Sequence, residues 1–482
     1  MSEAFNGTSY RPVSSGQRSG DRSPQLDEII ALLQSVDPND SEIQLKQPKS
    51  MLAFMNEEQL RAYTSQNLDP LTILSPNENS LGYLYFITAR CCAATSENAQ
   101  QLFELLSHFI SVFDVQQVLG APARIEFIAK ALDTLANGLK RPLLPIQPLA
   151  DAIQRLNPEL NTLTTLHAPL VKACLISKMY KYPLSILDSD IDHVDPTIYG
   201  VTIVDFLEYH YDASLIYIGN KQFERALDFL SIASIITILY HFAISAPANI
   251  PSAIQFEAYK KYCLVSLIQD GKIRILPKYT ATVVDKGFKL QYEHYITIAK
   301  AYEQTNISKF DELILSFKGT LEQDQNFGLA KQCAVALRLK KIKALTKVYK
   351  KVDIQDIAVK LDPKGKITPF QVEQMVVRMI NTDQISATIL HVVTDGTSRK
   401  MVSFHDIDNS RLPNTTQHLQ AEWKRVAAVS ERTAKIDKEK GLDKAFQSKF
   451  MVLSVHGGQS TSMQYEEDID LPLSKEGKLS VI

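Results

Sequence analysis

The chain lacks most of what usually betrays chemistry. Its 482 residues hold five cysteines and one tryptophan. Cys91, Cys92, Cys174, Cys263 and Cys333 form no CxxC pair and no even disulfide framework, so reduced core thiols of a cytosolic or nuclear protein are expected. An excess of one charge is lacking too: 52 Lys and Arg against 54 Asp and Glu leave a formal net charge of -2, with no general drive toward nucleic acid or anionic membrane. No charged residue lies between Asp228 and Glu257. Even so, Ser231, Ser234, Thr237, His241 and Ser245 draw a polar stripe through that stretch, and Pro247 and Pro251 break it. A span needs about 20 predominantly apolar residues, so no membrane insertion is expected. The first residues carry no apolar h-region, so no secretory leader is expected.

The catalytic signatures are missing in the same way. A zinc isopeptidase needs a His-x-His pair with a downstream Asp and a Glu as base, and the ten histidines are scattered. His405-Asp406 reads as a hydrogen-bonded turn at a strand end. Gly-Lys occurs at Gly271, Gly365 and Gly477, but Ile, Ile and Leu follow where a phosphate loop needs Ser or Thr. There is no GxSxG elbow and no GxGxxG turn. We therefore expect no catalytic residue, no cofactor and no bound metal.

What is present is helical periodicity. A hydrophobic fraction of 45% and a charged fraction of 22% are ordinary for a folded domain. Residues 1–24 are rich in Ser, Gly and Arg and predict a disordered arm. From residue 25 to 350 apolar residues follow a 3.6 period, for example over Leu81–Ala94, Ala99–Phe113, Pro122–Ala136 and Leu163–Met179, with brief breakers between. Strand alternation is absent there. Short helices with short connectors predict hairpins stacked in a tetratricopeptide-like solenoid. One hairpin pairs Val204–Ile218 with a helix led by Phe223, Ala226, Leu230 and Ala233 across Gly219-Asn220-Lys221. Running from just before and into Glu257–Thr280, the residues Ile254, Ala258, Tyr262, Val265 and Ile268 predict an amphipathic stripe. Gly271 stands as its left-handed stop, with Lys272 and Arg274 near its negative end.

After residue 350 the character changes. Ile354–Leu361 predicts a short helix, and Thr368 caps a second one with Pro369 at its first position. The β-branched run Ile385–Val393, a turn at Asp395-Gly396 and Met401–Phe404 predict a β-hairpin, so that residues 351–406 form a winged helix. A final helix over 415–440 aligns Leu419, Trp423, Val426, Val429, Thr433 and Ile436 along one seam suited to other helices. Residues 448–482, with Glu466-Glu467-Asp468, read as a flexible acidic tail.

One charge feature stands out. Gln325–Val352 holds no Asp or Glu but carries Lys331, Arg338, Lys340, Lys341, Lys343, Lys347, Lys350 and Lys351. It reads first as a solvated helix face over inward Leu337, Ile342, Leu345 and Val348, then as a contact for an acidic partner, then for nucleic acid. A nucleic-acid-binding winged helix is the reading from a different class. It predicts steep salt dependence and loss of affinity when Lys340, Lys341 and Lys343 become Glu. The candidate recognition helix offers only Gln371, Glu373, Gln374 and Arg378 outward, which is poor equipment against phosphates.

Helical repeats, a winged helix and a terminal helix in this order resemble the PCI-domain family, scaffold subunits of the proteasome lid, the COP-nine signalosome and translation initiation factor three. TLHAPLVKACLISKMYKYPLSIL (Thr165–Leu187), GNKQFERAL (Gly219–Leu227), YKKYCLVSLIQDGKIRILPKYT (Tyr259–Thr280), NFGLAKQC (Asn326–Cys333) and KMVSFHD (Lys400–Asp406) resemble the signalosome branch. The resemblance covers most of Thr162–Asp406 and implies a PCI domain over about 200–406. It also implies a non-catalytic scaffold, in cytoplasm and nucleus, of a complex that removes a ubiquitin-like modifier from cullins through a metalloprotease on another subunit. The winged helices of such subunits line up into an arc, which assigns Ile385, Ile389, Met401 and Phe404 to contacts with neighbouring subunits. Their C-terminal helices gather into a bundle, which assigns Leu419, Trp423, Val426, Val429 and Ile436. Partners implied are the other signalosome subunits and, indirectly, cullin-RING ligases. A proteasome-lid or initiation-factor scaffold is the alternative within the family.

Overall fold

A computed structural model of the chain describes residues 26–35, 45–158, 160–189, 191, 193–235, 252–276, 292–362, 365, 367–394, 397–405, 412–442 and 447. The expected N-terminal arm, the acidic tail, the polar-striped residues 236–251 and the Asp395-Gly396 turn lie outside these residues. Two compact units make up the chain: residues up to Gln384 with Ile389–Ser403, and Ile385–Thr388 with Phe404 onward.

The first unit is built of helices that pack on their chain neighbours. Numbering the longer ones, they are α1 (Leu26–Gln34), α2 (Lys46–Phe54), α3 (Ser80–Cys92), α4 (Ala99–Val112), α5 (Pro122–Leu139), α6 (Ile146–Leu156), α7 (His167–Ile176), α8 (Ile203–Gly219), α9 (Phe223–Ile235), α10 (Ala253–Gln269), α11 (Glu293–Glu303), α12 (Ile307–Ser316) and α13 (Phe327–Thr346). From α6 to α12 each helix packs on the next, and α13 returns to lie against α10. Contacts confined to near neighbours are what stacked helical hairpins produce.

The sequence signals explain these elements. Thr202 caps α8 in a reciprocal box with Asp205, and α8 runs within a residue of the expected span. Ala213 and Tyr217 of α8 meet Ala226, Leu230 and Ala233 of α9 with no exposed surface left. The loop between them turns at Lys221, φ +61°, while Asn220 Nδ2 donates to the Tyr180 and Ile216 carbonyls at 2.7 and 3.1 Å. Phe223, expected on the inner face, is only half-buried.

Two expectations are corrected here. The helix expected over Leu163–Met179 starts only at His167, because Thr162-Leu163 (β1) pairs in parallel with His193-Val194 (β2). Asn157 Nδ2 donates to the Thr162 carbonyl (2.9 Å) and His167 Nδ1 accepts from the Thr164 N–H (3.0 Å), so side chains take backbone groups that a helix would use. Nor is α10 amphipathic. Tyr259, Lys260, Lys261, Tyr262, Cys263, Leu264, Val265, Ser266 and Leu267 are all buried, with α9, α11 and α13 around them. A helix covered on every side reads as having no single stripe. Gly271 does adopt the left-handed form, φ +75°. However, the cation on its carbonyl is Lys340, 3.1 Å away, while Arg274 binds Asp270 and Glu224.

The winged helix follows in two helices and three strands. Ile354–Leu361 (α14) and Pro369–Asn381 (α15) form as expected, the latter with a Thr368–Gln371 capping box. Ala387–Thr394 (β4) and Thr397–Phe404 (β5) give the hairpin strands. Sequence reading missed a third strand, Lys351–Asp353 (β3), which pairs antiparallel with β5 in the register Lys351↔Ser403, Val352↔Val402, Asp353↔Met401. Val352 is its one apolar residue, too little for an alternation signal. The sheet order is β3-β5-β4.

In the second unit, Ile385 and Phe404 are buried, and the His405 N–H donates to the Ser386 carbonyl at 2.9 Å. His405 Nε2 lies 2.8 Å from Thr388 Oγ1, the hydrogen-bonded turn expected of it. Its long helix, Leu412–Leu442 (α16), exceeds the expected span at both ends. Pro413 sits in its first turn, where a missing N–H costs nothing.

Candidate assembly surfaces

Helix α16 carries the largest uncovered apolar side chains of the second unit. At 1.5 Å per residue its 31 residues run about 46 Å. Leu419, Trp423, Val426 and Val429 are exposed, Trp423 by 75%, and Ile436 is half-buried. Spacings of four, three, three, four and three through Thr433 hold these six residues on one side. A contiguous exposed apolar stripe that includes a tryptophan is unusual on a folded surface.

The wing distributes its four expected contact residues differently. Ile385 and Phe404 are buried within the chain, at 7% and 9% exposure, while Ile389 and Met401 are half-buried. Leu390 and His391 are the exposed side chains next to them on β4. In the first unit, Lys400 of β5 grips both carboxylate oxygens of Glu373 on α15 at 2.7 and 2.8 Å. Two of the four residues on the would-be recognition face are thereby engaged, Glu373 in that pair and Gln371 in its cap.

A buried polar network that sequence reading missed braces the frame. Lys260 Nζ lies 2.6 Å from Glu257 and 2.7 Å from Asp324. Lys261 Nζ donates to Asn326 Oδ1 (2.7 Å), Asn326 Nδ2 to the Tyr295 hydroxyl (2.8 Å), and that hydroxyl to Asp324 Oδ2 (2.8 Å). The loop before α13 is thus tied to α10 and α11 at once. Burial pushes the Lys260 ammonium down, but Asp324 and Glu257 outweigh it and the net shift is upward. Lys261, whose partner is a neutral amide, is pushed down by burial. The available signal was a Lys-Lys pair inside YKKYCLVSL, flanked by apolar residues on both sides.

The acid-free stretch resolves into parts. Arg338 pairs with Asp311 at 2.6 Å, and Lys340 sits on the Gly271 carbonyl. Leu337 and Ile342 point inward as expected, and Leu345 is half-buried. Val348, expected inward, is 72% exposed, because α13 ends at Thr346. Between α13, the α8–α9 loop, the end of α10 and α15 lies a groove of about 790 Å³. Lys221, Lys331, Lys343 and Arg378 line it, and none of them has a carboxylate partner among the described residues.

Four of the five thiols and the histidines His167 and His210 are core groups. Burial pushes the Cys174 thiol up to about 11 and Cys263 to about 12, and raises Cys91 and Cys333 further still. Burial lowers His167 and His210 to about 4 each. Among the described residues no group of three His, Cys, Asp or Glu is placed to hold a metal ion, and no helix is long and apolar enough to cross a membrane.

Serially packed helices running into a three-stranded winged helix define the class: a helical-repeat protein with a PCI domain. Comparison with known proteins agrees. The family described as COP9 signalosome complex subunit 3, N-terminal helical repeats, matches residues 42–284, and the PCI domain matches residues 315–405. The chain is 33% identical over 335 residues to COP9 signalosome complex subunit 3 of Arabidopsis thaliana, covering 69% of this chain and 74% of that protein. It is 31% identical over 347 residues to the protein of that name from Dictyostelium discoideum, covering 71% and 79%. The chain belongs to the COP9 signalosome subunit 3 family.

Proposed function

We propose that this chain is a non-catalytic scaffold subunit of the signalosome, acting in cytoplasm and nucleus and supporting removal of the ubiquitin-like modifier from cullins through protein contacts alone. The observation that carries the reading is the uncovered stripe on α16. A tryptophan buries about 150–250 Å² in a protein contact. At about 25 cal/mol per Å², covering the exposed part of Trp423 contributes about 3–5 kcal/mol. Among the described residues no contact collects that energy, so a partner's helices are the natural place for it. In this reading α16 enters a bundle with the terminal helices of sister subunits. The winged helix joins theirs edge to edge, with Ile389 and Met401 at the surface and Ile385 and Phe404 shaping it from beneath. Cullin-RING ligases are met only through the assembled particle.

The test is co-purification of the tagged chain with its neighbours. Trp423→Asp puts a carboxylate where the bundle is to close, and it releases the chain from the assembly while the isolated chain keeps its far-ultraviolet circular dichroism and melting temperature. Undiminished co-purification rules the stripe out as an interface. The isolated chain, with or without added zinc, shows no cleavage of the modifier from a cullin conjugate. Turnover by the chain alone overturns the scaffold reading.

A further inference from the structure

The groove beside α13 is not absorbed by an assembly role for α16 and the wing, and its lining has two chemistries. Lys221, Lys331, Lys343 and Arg378 stand exposed on its rim. Asp270 is its only acidic lining residue, and Arg274 already holds that carboxylate at 2.8 Å. The groove's wall and floor are apolar: Ile218, Phe223, Ile268, Val335, Leu339 and Met379. Val335, in the third turn of α13, is 38% exposed, whereas Cys333 and Leu337, two residues to either side and so on the opposite face of the helix, are fully covered.

We infer that this groove binds an acidic linear peptide of a partner protein, one that alternates carboxylate side chains with apolar ones. The carboxylates pair with the lysine and arginine rim, and the apolar side chains fill the floor over Val335 and Leu339. Charge complementarity argues for this occupant, as does the division into polar rim and apolar floor typical of protein contacts. Nucleic acid fits less well. Four cations, of which Lys331 already lies 4.3 Å from the centre of the Phe327 ring, are fewer than the roughly six to ten phosphate contacts typical of a binding protein. Single-strand binding also needs open aromatic platforms, and of the two aromatic lining residues Phe223 is half-buried and Tyr302 buried. The inference is independent of the bundle and the winged-helix arc.

Fluorescence anisotropy with the full chain tests it. The probes are a fluorescein-labelled peptide repeating Asp-Leu-Glu-Phe, its amide counterpart repeating Asn-Leu-Gln-Phe, and a labelled single-stranded DNA. The acidic peptide binds, the amide peptide binds at least tenfold more weakly, and raising salt weakens the acidic peptide alone. Lys331→Glu with Lys343→Glu lowers its affinity tenfold or more, and Val335→Asp lowers it about fivefold. Lys347→Glu, exposed but outside the groove, changes it less than twofold. All of these positions are exposed, and co-purification with sister subunits persists in each variant, so a failure here is separable from a failure of the scaffold role. Absence of peptide binding overturns the inference, as does an equal loss from Lys347→Glu or no loss from Val335→Asp. Tighter, lysine-dependent binding of the DNA replaces it with the nucleic-acid reading.

Discussion

Helices α10 and α16 both mix apolar and charged side chains, α16 with the larger charged share, and they meet opposite fates. In α10 even two lysines are buried, and each has its own partner: Lys260 is held by two carboxylates and Lys261 by Asn326. In α16 even the tryptophan is exposed. The difference lies in what surrounds them. α10 follows the hairpin α8–α9, and α11 and α13 close over it, so every face finds a neighbour of the same chain. The apolar stripe of α16 finds water. A helix covered on all faces holds the fold, and one left uncovered is the surface proposed above for another molecule.

The comparison can be broken most sharply in α10. Asp324→Ala removes one of the two carboxylates on Lys260 and the acceptor of the Tyr295 hydroxyl. We expect a loss of about 3–5 kcal/mol, read as a lower urea midpoint with an unchanged slope. A loss below 1 kcal/mol refutes the idea that this network braces the frame.

Acid should act on the same unit. His167 and His210 stay neutral in the fold down to about pH 4, whereas in the unfolded chain they protonate below about 6.5. Protons therefore favour unfolding between those values, by about 1.4 kcal/mol per pH unit for each histidine. Asp212 works the other way. Burial, reinforced by Glu208, raises its carboxyl to about 6, so from there down to about pH 4 the folded form takes the proton first. The three together should cost about 3 kcal/mol between pH 6 and pH 4. Urea titrations in that range measure it, and His210→Gln should remove about half the histidine contribution.

Smaller effects sharpen the edges of the contrast. Gly271→Ala forces a side chain into a left-handed position, and its Cβ would come within 2.6 Å of Lys340 Nζ. The expected loss is about 1–2 kcal/mol, read as a lower melting temperature. Trp423→Ala comes last. It should change the isolated chain's stability by less than about 0.5 kcal/mol, because the side chain is 75% exposed. A drop of more than 1 kcal/mol would show that α16 is part of the folded core after all.

Most of the helices were legible in the sequence, and the reasons are local. Thr202 with Asp205 and Thr368 with Gln371 announce their helices by caps that need no tertiary knowledge. The failures are all tertiary. β3 owes its existence to pairing with Met401–Ser403, which its three residues cannot signal. The apparent stripe of α10 dissolved because neighbours cover its polar face as well as its apolar one. For the assembly surfaces, the spacing of Leu419, Trp423 and Val426 was readable directly. The groove was not: the sequence displays its lysines in a row but cannot say that Arg338 and Lys340 are engaged elsewhere while Lys331 and Lys343 stand exposed with no carboxylate partner among the described residues.

The closed state of α10 also bears on how such chains can diverge. Adding one residue inside a helix turns everything beyond it by about 100°. In α10 such a turn would swing Lys260 away from Asp324 and drive Leu264 or Val265 toward the wrong neighbour. Its length is therefore frozen, and substitutions there must arrive in matched sets. The apolar stripe of α16 is left uncovered by the described residues, so whole turns can be gained or lost there without disturbing a buried contact. Descendants of one ancestral scaffold should differ in reach while agreeing, residue for residue in register, about the axle they are built around.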